Sequence, residues 1–501
     1  MLDEPSWTWV VLRVGFLLFL WYATSSIAAW SKLRHVPGPV LASFSYIWLT
    51  RQVATGKSDY ILEAEQKKHG RVMRIGPDAV VIYDPDTLMR INNVRTAYTR
   101  GPWYSTLTFD SRGHNVVTLL DRAKHIQRRA TLHSGLGPKN LANLERSIDN
   151  WHQALVRKLR DNIAKGDEVM DISLIIQQFQ VDLVFEAGIG KPWGYLSGEK
   201  VQFDYLKVAE EAEPPIHTLC THPWARAVYS SRWLMDLIGP KTTDKAGLGF
   251  LLGIIEKEVH QRFSNKEKGV ASKTDMLGQW IDHGLTPEEC QYDMAFMVPA
   301  GADTTVTAIR GILLYLMTSP VLYQKVKKEI RDGIKDGRIS EPVTNEQAKS
   351  LEYIQAVIRE GLRLVVPINF GFPKRVPPAG DTICGVFLPG GTDVYYNNRS
   401  MMRNEEVFGT DANIFRPERY LESNGLDVGR MIKTVDLAFG YGGYMCLGKS
   451  FAMIELNKFF IELFRNFDFQ LANPEHPWRR EGYTTVLIHN FLVKVTEDRI
   501  E

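Results

Sequence analysis

An apolar run near the start of the chain constrains its folding more than any other feature. Between Trp7 and Trp30 the only charged residue is Arg13. A helix of this run is about 36 Å long, which is enough to cross a lipid bilayer. Acidic residues precede the run and basic residues follow it. The positive-inside bias therefore predicts a membrane anchor with the rest of the chain in the cytosol.

The same run could instead be a cleaved signal peptide. It lacks a positively charged start and a clear small-residue cleavage site, so we favour an uncleaved anchor. Pro37-Gly38-Pro39 ends any helix and predicts a stiff turn where the chain leaves the membrane. This interpretation divides the chain into a lumenal N-terminus (1–6), a transmembrane anchor (7–30), a proline-rich hinge (31–40) and a cytosolic domain (41–501).

The composition is that of a large packed domain in a reducing compartment. Of 501 residues, 44% are hydrophobic and 24% are charged, which argues against long disorder and against a polytopic transporter. The net charge of +2 argues against a nucleic-acid-binding surface. Four scattered cysteines are too few for a disulfide framework, and no Cys/His cluster indicates zinc.

Helical periodicity dominates the domain, and two short regions are rich in β-forming residues. Residues 71–83 flank a Gly-Pro-Asp turn, and 382–386 and 394–397 flank Pro389-Gly390-Gly391, so each region predicts a hairpin. Residues 205–245 predict short helices whose apolar side chains belong either to the core or to a rim that dips into lipid. Longer helices are predicted at 121–133, 141–163, 287–318, 320–336, 346–364 and 448–465. The fold class is mainly α with small β-sheets.

A glycine-rich segment that leads to Cys446 is the strongest chemical motif. Three of the five residues 439–443 are glycines, which let the backbone approach a large flat group. A helical pattern begins directly after the cysteine, and a helix N-terminus favours thiolate over thiol. No histidine lies nearby to act as a base, so the pattern favours a metal ligand over a nucleophile. A buried cysteine that acts as a small hydrophobe is the third interpretation.

This segment resembles the haem-binding loop of the cytochrome P450 family, Phe-x-x-Gly-x-Arg/His-x-Cys-x-Gly. Phe439, Gly442, Cys446 and Gly448 match the pattern, whereas Tyr444 stands where the family usually has Arg or His. The resemblance implies a single large haem-binding domain of the P450 fold. It also implies haem as the cofactor, with Cys446 as the axial thiolate ligand that favours cleavage of the O–O bond.

Three further patterns take their roles from the same resemblance. Glu-x-x-Arg at Glu360 and Arg363, with Arg419 in a Phe-x-Pro-Glu-Arg-like segment, implies a buried triad that stabilises the fold. Asp303 and Thr304 lie in a segment, Ala-Gly-Ala-Asp-Thr-Thr, that resembles the family's proton-delivery motif. Without the resemblance, the Glu-Arg spacing fits a solvated pair and the small residues fit ordinary helix packing.

Residues for the haem propionates are also implied by the resemblance. His125 and Arg129, four apart in a predicted helix, match the family's Trp/His-x-x-x-Arg pattern. Arg375, about ten residues after the triad helix, resembles the strand arginine that binds the other propionate. The alternative for His125 and Arg129 is a basic, solvated helix face.

The implied activity is that of a monooxygenase that inserts one atom of O2 into an apolar small molecule. We find no second cofactor motif in the sequence, so electrons must come from outside the chain. The resemblance and the predicted membrane anchor imply NADPH–cytochrome P450 reductase as the partner. Residues 381–420 resemble fungal microsomal members of pisatin-demethylase-like and secondary-metabolite type. This likeness implies the endoplasmic reticulum membrane, contact with its lipid, and a pathway such as terpenoid biosynthesis. Substrate-facing positions, by family position, are Phe109, Met297, Ala300, Ile368, Asn369, Phe370 and Val486.

Two other functions are compatible with a haem-thiolate motif. One is an isomerase or dehydratase that rearranges a peroxide without a reductase, and the presence of Asp303 and Thr304 argues against it. The other is a non-catalytic, membrane-tethered haem-binding protein, and the retained Cys446 and helix motif argue against that.

Overall fold

The computed structural model describes residues 7–198, 205–422 and 425–500, and within them the chain is mainly helical with four small sheets. This confirms the predicted fold class. The helices are α1 (Trp7–Leu33), α2 (Ile47–Ala54), α3 (Ser58–His69), α4 (Pro85–Asn92), α5 (Arg122–Leu132), α6 (Pro138–Ala164), α7 (Ile172–Ile189), α8 (Tyr205–Thr221), α9 (Pro223–Tyr229), α10 (Arg232–Ile238), α11 (Gly247–Glu267), α12 (Met276–Asp282), α13 (Pro287–Met317), α14 (Pro320–Lys335), α15 (Asn345–Lys349), α16 (Glu352–Leu364), α17 (Asn398–Met401), α18 (Glu405–Phe408), α19 (Val428–Asp436) and α20 (Lys449–Asn466).

The strands are short, and most of them pair far from their neighbours in the chain. They are β1 (Val72–Gly76), β2 (Ala79–Ile82), β3 (Thr99–Arg100), β4 (Val169–Asp171), β5 (Phe370–Arg375), β6 (Asp381–Ile383), β7 (Val386–Leu388), β8 (Asp393–Asn397), β9 (Phe467–Leu471), β10 (Arg479–Gly482), β11 (Val486–His489) and β12 (Leu492–Glu497). The largest sheet has the order β1-β2-β8-β5-β3, and β2 and β8 are its parallel pair. It therefore joins the N-terminal part of the domain to the segment that follows α16.

One of the two predicted hairpins is present and the other is wrong. β1 and β2 pair as an antiparallel hairpin. In the second region β6 pairs with β7 across a turn at Cys384 and Gly385, both of which have positive φ. β8 pairs instead with β2 and β5. Pro389-Gly390-Gly391 therefore connects two different sheets. It does not close a hairpin, because the turn at Cys384 and Gly385 already reverses the chain.

Helix α13 is central to the domain and packs against α7, α11 and α16. It starts at a capping box in which the Thr286 side chain accepts from the Glu289 backbone N–H and the Glu289 side chain accepts from Thr286. Most of its residues are buried, as expected for a helix with neighbours on several faces. Helix α20 lies against α6, α14 and α16, so the residues after Cys446 are anchored deep in the core.

Helix α1 has the properties of a membrane anchor. The segment Trp9–Leu33 is apolar throughout, and none of its most apolar window is buried. Ile172–Ile189 is also long and apolar enough to span a membrane, but 78% of its window is buried, so it is a core helix. After α1, Arg74 Nη2 donates to the carbonyl oxygens of Ala29, Ser43 and Pro77. One buried guanidinium thus connects the anchor, the turn that follows it and the β1–β2 hairpin.

Helices α9 and α10 present apolar side chains to solvent. Trp224, Trp233 and Ile238 are more than half exposed. Val40 and Leu41, just after the proline-rich turn, are exposed as well. These exposures favour the lipid-contacting rim over the core for this part of residues 205–245.

Candidate functional site

The Cys446 loop is held in shape by its own backbone and its glycines. The Cys446 N–H donates to the Phe439 carbonyl at 2.6 Å. Gly442 has a φ of +61°, and a Cβ there would lie 2.3 Å from the Asn92 carbonyl oxygen. Only glycine fits such a position. Gly448 is the N-cap of α20 and a Cβ on it would lie 3.8 Å from the Cys446 Sγ, so the cysteine sits directly before a helix N-terminus.

The Cys446 thiol lies deep among protein atoms, yet the residue as a whole is accessible, so it borders an open space. Burial raises the pKa of Cys446 above its ordinary value. The N–H groups of Gly448 and Lys449 and the Arg129 guanidinium lower that pKa in part. The helix start alone therefore does not hold a thiolate here. A cationic metal at the sulfur would complete the stabilisation.

A cluster of cations lies next to this loop, and we call Arg100, His125, Arg129 and Lys374 the basic cluster. Tyr444 is at its centre, with its ring centroid 5.1 Å from that of His125, 4.7 Å from Arg100 Cζ and 3.0 Å from Lys374 Nζ. Burial, together with Arg100, Arg129 and Lys374, lowers the pKa of His125 to about 3. His125 is therefore neutral at neutral pH and offers a ring nitrogen rather than a charge.

Lys374 is the clearest sign that this cluster binds an anion. It is 1% exposed, and its Nζ has no hydrogen-bond acceptor among the residues that the structure describes. Burial lowers the pKa of Lys374 well below its ordinary value, and Arg100 and Arg122 act in the same direction. Arg129 likewise receives no stabilisation from a carboxylate within the described chain. Buried cations without acids fit the two carboxylates of a haem, whose propionates would compensate the charge.

The sequence prediction named Arg375 for this role, and the structure places that residue elsewhere. Arg375 Nε and Nη2 donate to the two carboxylate oxygens of Asp393, at 2.8 and 2.9 Å. A register shift in β5 between Gly371 and Lys374 turns Lys374 towards the basic cluster instead. Two adjacent cations in a strand cannot both face the same side. The sequence offers no means of locating the bulge, so it predicts Arg375 rather than Lys374. It also carries no signal that identifies Arg100 as a member of the cluster.

Helix α13 carries the two residues predicted for proton delivery. The Thr304 hydroxyl donates to the Ala300 carbonyl at 2.9 Å. Asp303 lies towards α7, where Gln177 Nε2 donates to its Oδ1 at 2.6 Å. Arg310 Nη2 donates to Gln177 Oε1 at 2.7 Å, so the glutamine bridges the carboxylate and a buried cation.

A second buried carboxylate connects α20 to the same region, and the sequence prediction did not include it. Gln180 Nε2 donates to the Gly301 carbonyl at 3.2 Å and to Glu455 Oε2 at 3.1 Å. Glu455 is fully buried, and burial raises its pKa to about 8. The signal in the sequence that could have identified Glu455 is an acidic residue within the apolar pattern of α20.

Gly301 belongs to the Ala-Gly-Ala-Asp-Thr-Thr segment that carries Asp303 and Thr304. The structure places it against α7, since a Cβ on Gly301 would lie 3.1 Å from Val184. The small residue therefore permits close helix packing on that side.

The predicted triad is present as a buried ionic network. Arg363 Nε and Nη2 donate to the two carboxylate oxygens of Glu360, at 2.8 and 2.7 Å, and Arg419 Nε donates at 2.9 Å. The Tyr420 hydroxyl adds a fourth bond at 3.0 Å. Burial alone would raise the pKa of Glu360, but the two arginines lower it overall. The network links α16 to the segment before the Cys446 loop.

The structure keeps four of the seven predicted substrate-facing residues as candidates and places the other three in packing contacts. Phe109 is partly exposed and stacks on Phe296 of α13. Asn369 is buried, and its Nδ2 has no acceptor within the described chain. Ala300 and Ile368 are partly exposed. These four residues remain candidates for contact with the substrate, and Phe296 is added to them.

The other three predicted substrate residues pack elsewhere. A Cβ on Gly188 of α7 would lie 2.6 Å from the Met297 methyl, so Met297 faces that helix. Phe370 stacks on Tyr395 inside the sheet core. Val486 is fully buried with Val365 and Ile488.

An accessible cysteine before a helix, a glycine-shaped loop and an adjacent acid-poor basic cluster define a haem-thiolate protein. Comparison with known proteins agrees, since the family model "Cytochrome P450" matches residues 36–495. The chain belongs to the cytochrome P450 family. Its cofactor is haem with a cysteine thiolate ligand, and it is a monooxygenase, an oxidoreductase.

Individual relatives are fungal. The chain is 37% identical to cytochrome P450 monooxygenase aba1 of Botryotinia fuckeliana over 93% of this chain and 92% of the relative. It is 34% identical to ABA1 of Pyricularia oryzae over 95% of both chains. It is 27% identical to pisatin demethylase of Fusarium vanettenii over 92% of this chain and 88% of the relative.

Proposed function

We propose that this chain inserts one oxygen atom from O2 into an apolar small molecule of fungal secondary metabolism. The observation that carries the proposal is the accessible Cys446 residue, directly before a helix N-terminus, beside the basic cluster. The overall reaction is RH + O2 + NADPH + H+ → ROH + NADP+ + H2O. When bound, haem supplies the oxygen-activating chemistry, and the remaining roles fall to side chains of this chain.

The basic cluster is the proposed seat of the haem propionates. Arg100, Arg129 and Lys374 contribute charge, and neutral His125 contributes a ring nitrogen. Phe439, Gly442 and Gly448 shape the loop that presents Cys446. These residues would hold the propionates of a bound haem and present the Cys446 sulfur to its iron.

Thr304 and Asp303 are the proposed proton-delivery pair. The Thr304 hydroxyl can leave the Ala300 carbonyl and donate a hydrogen bond into the space beside α13. Asp303, held at Oδ1 by Gln177, can take up and release a proton at its carboxylate. Helix α13 places the two groups next to each other, and rotation of the Thr304 side chain is the movement that the proposal requires.

The proposed substrate is apolar, with one oxygen atom that Asn369 Nδ2 can orient. Phe109, Phe296, Ala300 and Ile368 supply apolar surface. Terpenoids fit this description and are our first choice of substrate class. The name of one relative, pisatin demethylase, makes oxidative demethylation a related reaction to test.

Membrane attachment through α1 supports the proposed location and electron source. We place residues 1–6 in the lumen, 7–30 in the endoplasmic reticulum membrane, 31–40 at the hinge and 41–501 in the cytosol. In that position NADPH–cytochrome P450 reductase, which is bound to the same membrane, can supply both electrons.

The test is co-expression of the full chain with a fungal reductase in yeast microsomes. We expect the reduced carbon monoxide band of a haem-thiolate, and NADPH-dependent O2 uptake with a product heavier by one oxygen from a terpenoid panel. Cys446→Ala should abolish that band, whereas the matched control Cys384→Ala should keep it. A chain that rearranges peroxides without NADPH, or that turns over nothing, would refute the proposal.

A further inference from the structure

Tyr444 stands where the family usually has arginine or histidine, and the structure shows what surrounds it. Lys374 Nζ lies 3.0 Å from the centroid of its ring, and Arg100 Cζ lies at 4.7 Å. The His125 ring stacks on it, with an interplanar angle of 27°. The tyrosine ring is therefore already in contact with two cations and a neutral imidazole.

A guanidinium at position 444 would enter this arrangement as an additional positive charge. Lys374 has no acceptor among the described residues, and its electrostatic neighbours are Arg100 and Arg122. The face of an aromatic ring attracts a cation, whereas a second cation at the same distance repels it. The aromatic ring thus makes the buried lysine tolerable in this position.

We propose that Lys374 and Tyr444 act as one propionate-binding unit, in which the lysine supplies the charge and the tyrosine ring positions it. The positive charge that the family places on the cysteine loop is absent in this chain, and the cation that lies over the Tyr444 ring comes from strand β5. An arginine at 444, although usual in the family, should therefore weaken haem binding here. The inference rests on haem as the cofactor and is independent of the substrate and of the proposed reaction.

Arg100 has a supporting role in the same unit. Its Nη1 donates to the carbonyl oxygens of Val116 and Val117, both at 2.9 Å. These bonds fix the guanidinium in the protein, so Arg100 cannot turn away from an incoming charge at 444. Lys374, at the end of a flexible chain, has to be held by its neighbours. The Tyr444 ring, with its centroid 3.0 Å from Nζ, is nearer than the Tyr104 ring, whose centroid lies at 5.8 Å.

The experiment measures haem retention by the purified ferric holoprotein of the full chain in detergent. Excess apomyoglobin captures released haem, and the Soret absorbance gives the rate of loss. We expect Tyr444→Arg to speed haem loss roughly tenfold or more, and Tyr444→Phe, which keeps the ring face, to change it less than about twofold. The matched control Tyr441→Arg makes the same substitution on an exposed residue of the same loop and should behave as wild type.

The decisive variant relocates the charge. Lys374→Met should lose haem faster than wild type, and the double variant Lys374→Met/Tyr444→Arg should lose it more slowly than Tyr444→Arg alone. A structural defect at either position would instead make the double variant the worst of the set. The proposal fails if Tyr444→Arg retains haem as well as wild type, if Tyr444→Phe loses it as fast as Tyr444→Arg, or if the double variant shows no recovery.

Discussion

Single residues at this site combine several demands, and Thr304 is an example. Its hydroxyl satisfies the Ala300 carbonyl at 2.9 Å while the helix continues past it. A threonine can exchange such a bond for one to a ligand, because the carbonyl keeps its own helical hydrogen bond. The residue is thus poised to donate without destabilising α13.

Thr304→Ala should separate oxygen use from product formation. Without the hydroxyl, proton delivery becomes unselective, and we expect NADPH consumption to continue while product per NADPH falls roughly tenfold. The measurement is product yield against NADPH oxidised, with Thr304→Ser as the matched variant that restores the hydroxyl. Unchanged coupling in the alanine variant would remove Thr304 from the mechanism.

At the scale of elements, buried polar side chains decide how helices meet. Gln180 joins α7 to α13 and α20 by donating both to a backbone carbonyl and to Glu455. Glu360 joins α16 to the segment that carries Arg419 and Tyr420. Such contacts are directional, so they fix the registry of helices that apolar packing alone would leave free to slide.

Glu455 should make the stability of the domain pH-dependent. Its folded-state pKa is raised from 4.5 to about 8, so the folded state holds the proton over a range in which the unfolded state has lost it. Stability therefore falls as pH rises from about 4.5 to about 8, by at most about 1.4 kcal/mol per pH unit. Glu455→Gln should remove this part of the slope in urea unfolding midpoints. The exposed Glu475→Gln should not, and equal slopes in all three proteins would contradict the assignment.

The ionic network around Glu360 should be essential for the folded protein. Glu360→Ala leaves the buried Arg363 without its carboxylate and leaves Arg419 with Asp411 alone, at a cost of about 3–5 kcal/mol. Tyr420→Phe removes one hydrogen bond to the same carboxylate and should cost only about 1 kcal/mol. Haem-loaded yield and thermal midpoints measure both effects. Equal losses in the two variants would show that the arginines do not depend on Glu360.

At the scale of the whole molecule, the anchor and the domain meet through Arg74. This side chain is 1% exposed, and its Nη1 and Nη2 donate to carbonyls of Trp30 and Ala29 at the end of α1. Trp30 also stacks on Phe44 beyond the proline-rich turn. Arg74 and the Trp30–Phe44 pair therefore stabilise the turn, and these contacts set the direction in which α1 leaves the domain.

Loss of the Arg74 contacts should loosen this junction without affecting the haem site. Arg74→Lys cannot reach several carbonyls at once, so trypsin should cut after Lys32 or Arg34 at least several-fold faster in detergent. Arg71→Lys is the control, because Arg71 is exposed and lies three residues before Arg74. Equal cleavage rates in the Arg74 variant and the wild type would show that the turn is stiff on its own.

The fold class and several of the helices followed from local patterns, and the family resemblance supplied the candidate site residues. The anchor, the α13 and α20 helices and the Cys446 loop depend on residues close together in the chain, where periodicity, capping and glycine content act directly. The Glu360 triad was also identified, because its members occupy recognisable motifs. Each of these features is specified within one or two short segments.

Only the tertiary structure decided which cations form the basic cluster and which of the predicted site residues pack against neighbouring helices and strands instead. Lys374 rather than Arg375 joins the basic cluster because of a bulge in β5. Met297, which was predicted to face the substrate, lies against Gly188 of α7, and Gly301 lies against Val184 of the same helix, because of how the two helices pack. A one-residue shift of a strand, or a small rotation of a helix, reverses the direction of a side chain. Such shifts are set by contacts between segments that are distant in the chain. The sequence by itself therefore determines the helices, the strands and the motifs, and packing determines which way their side chains point.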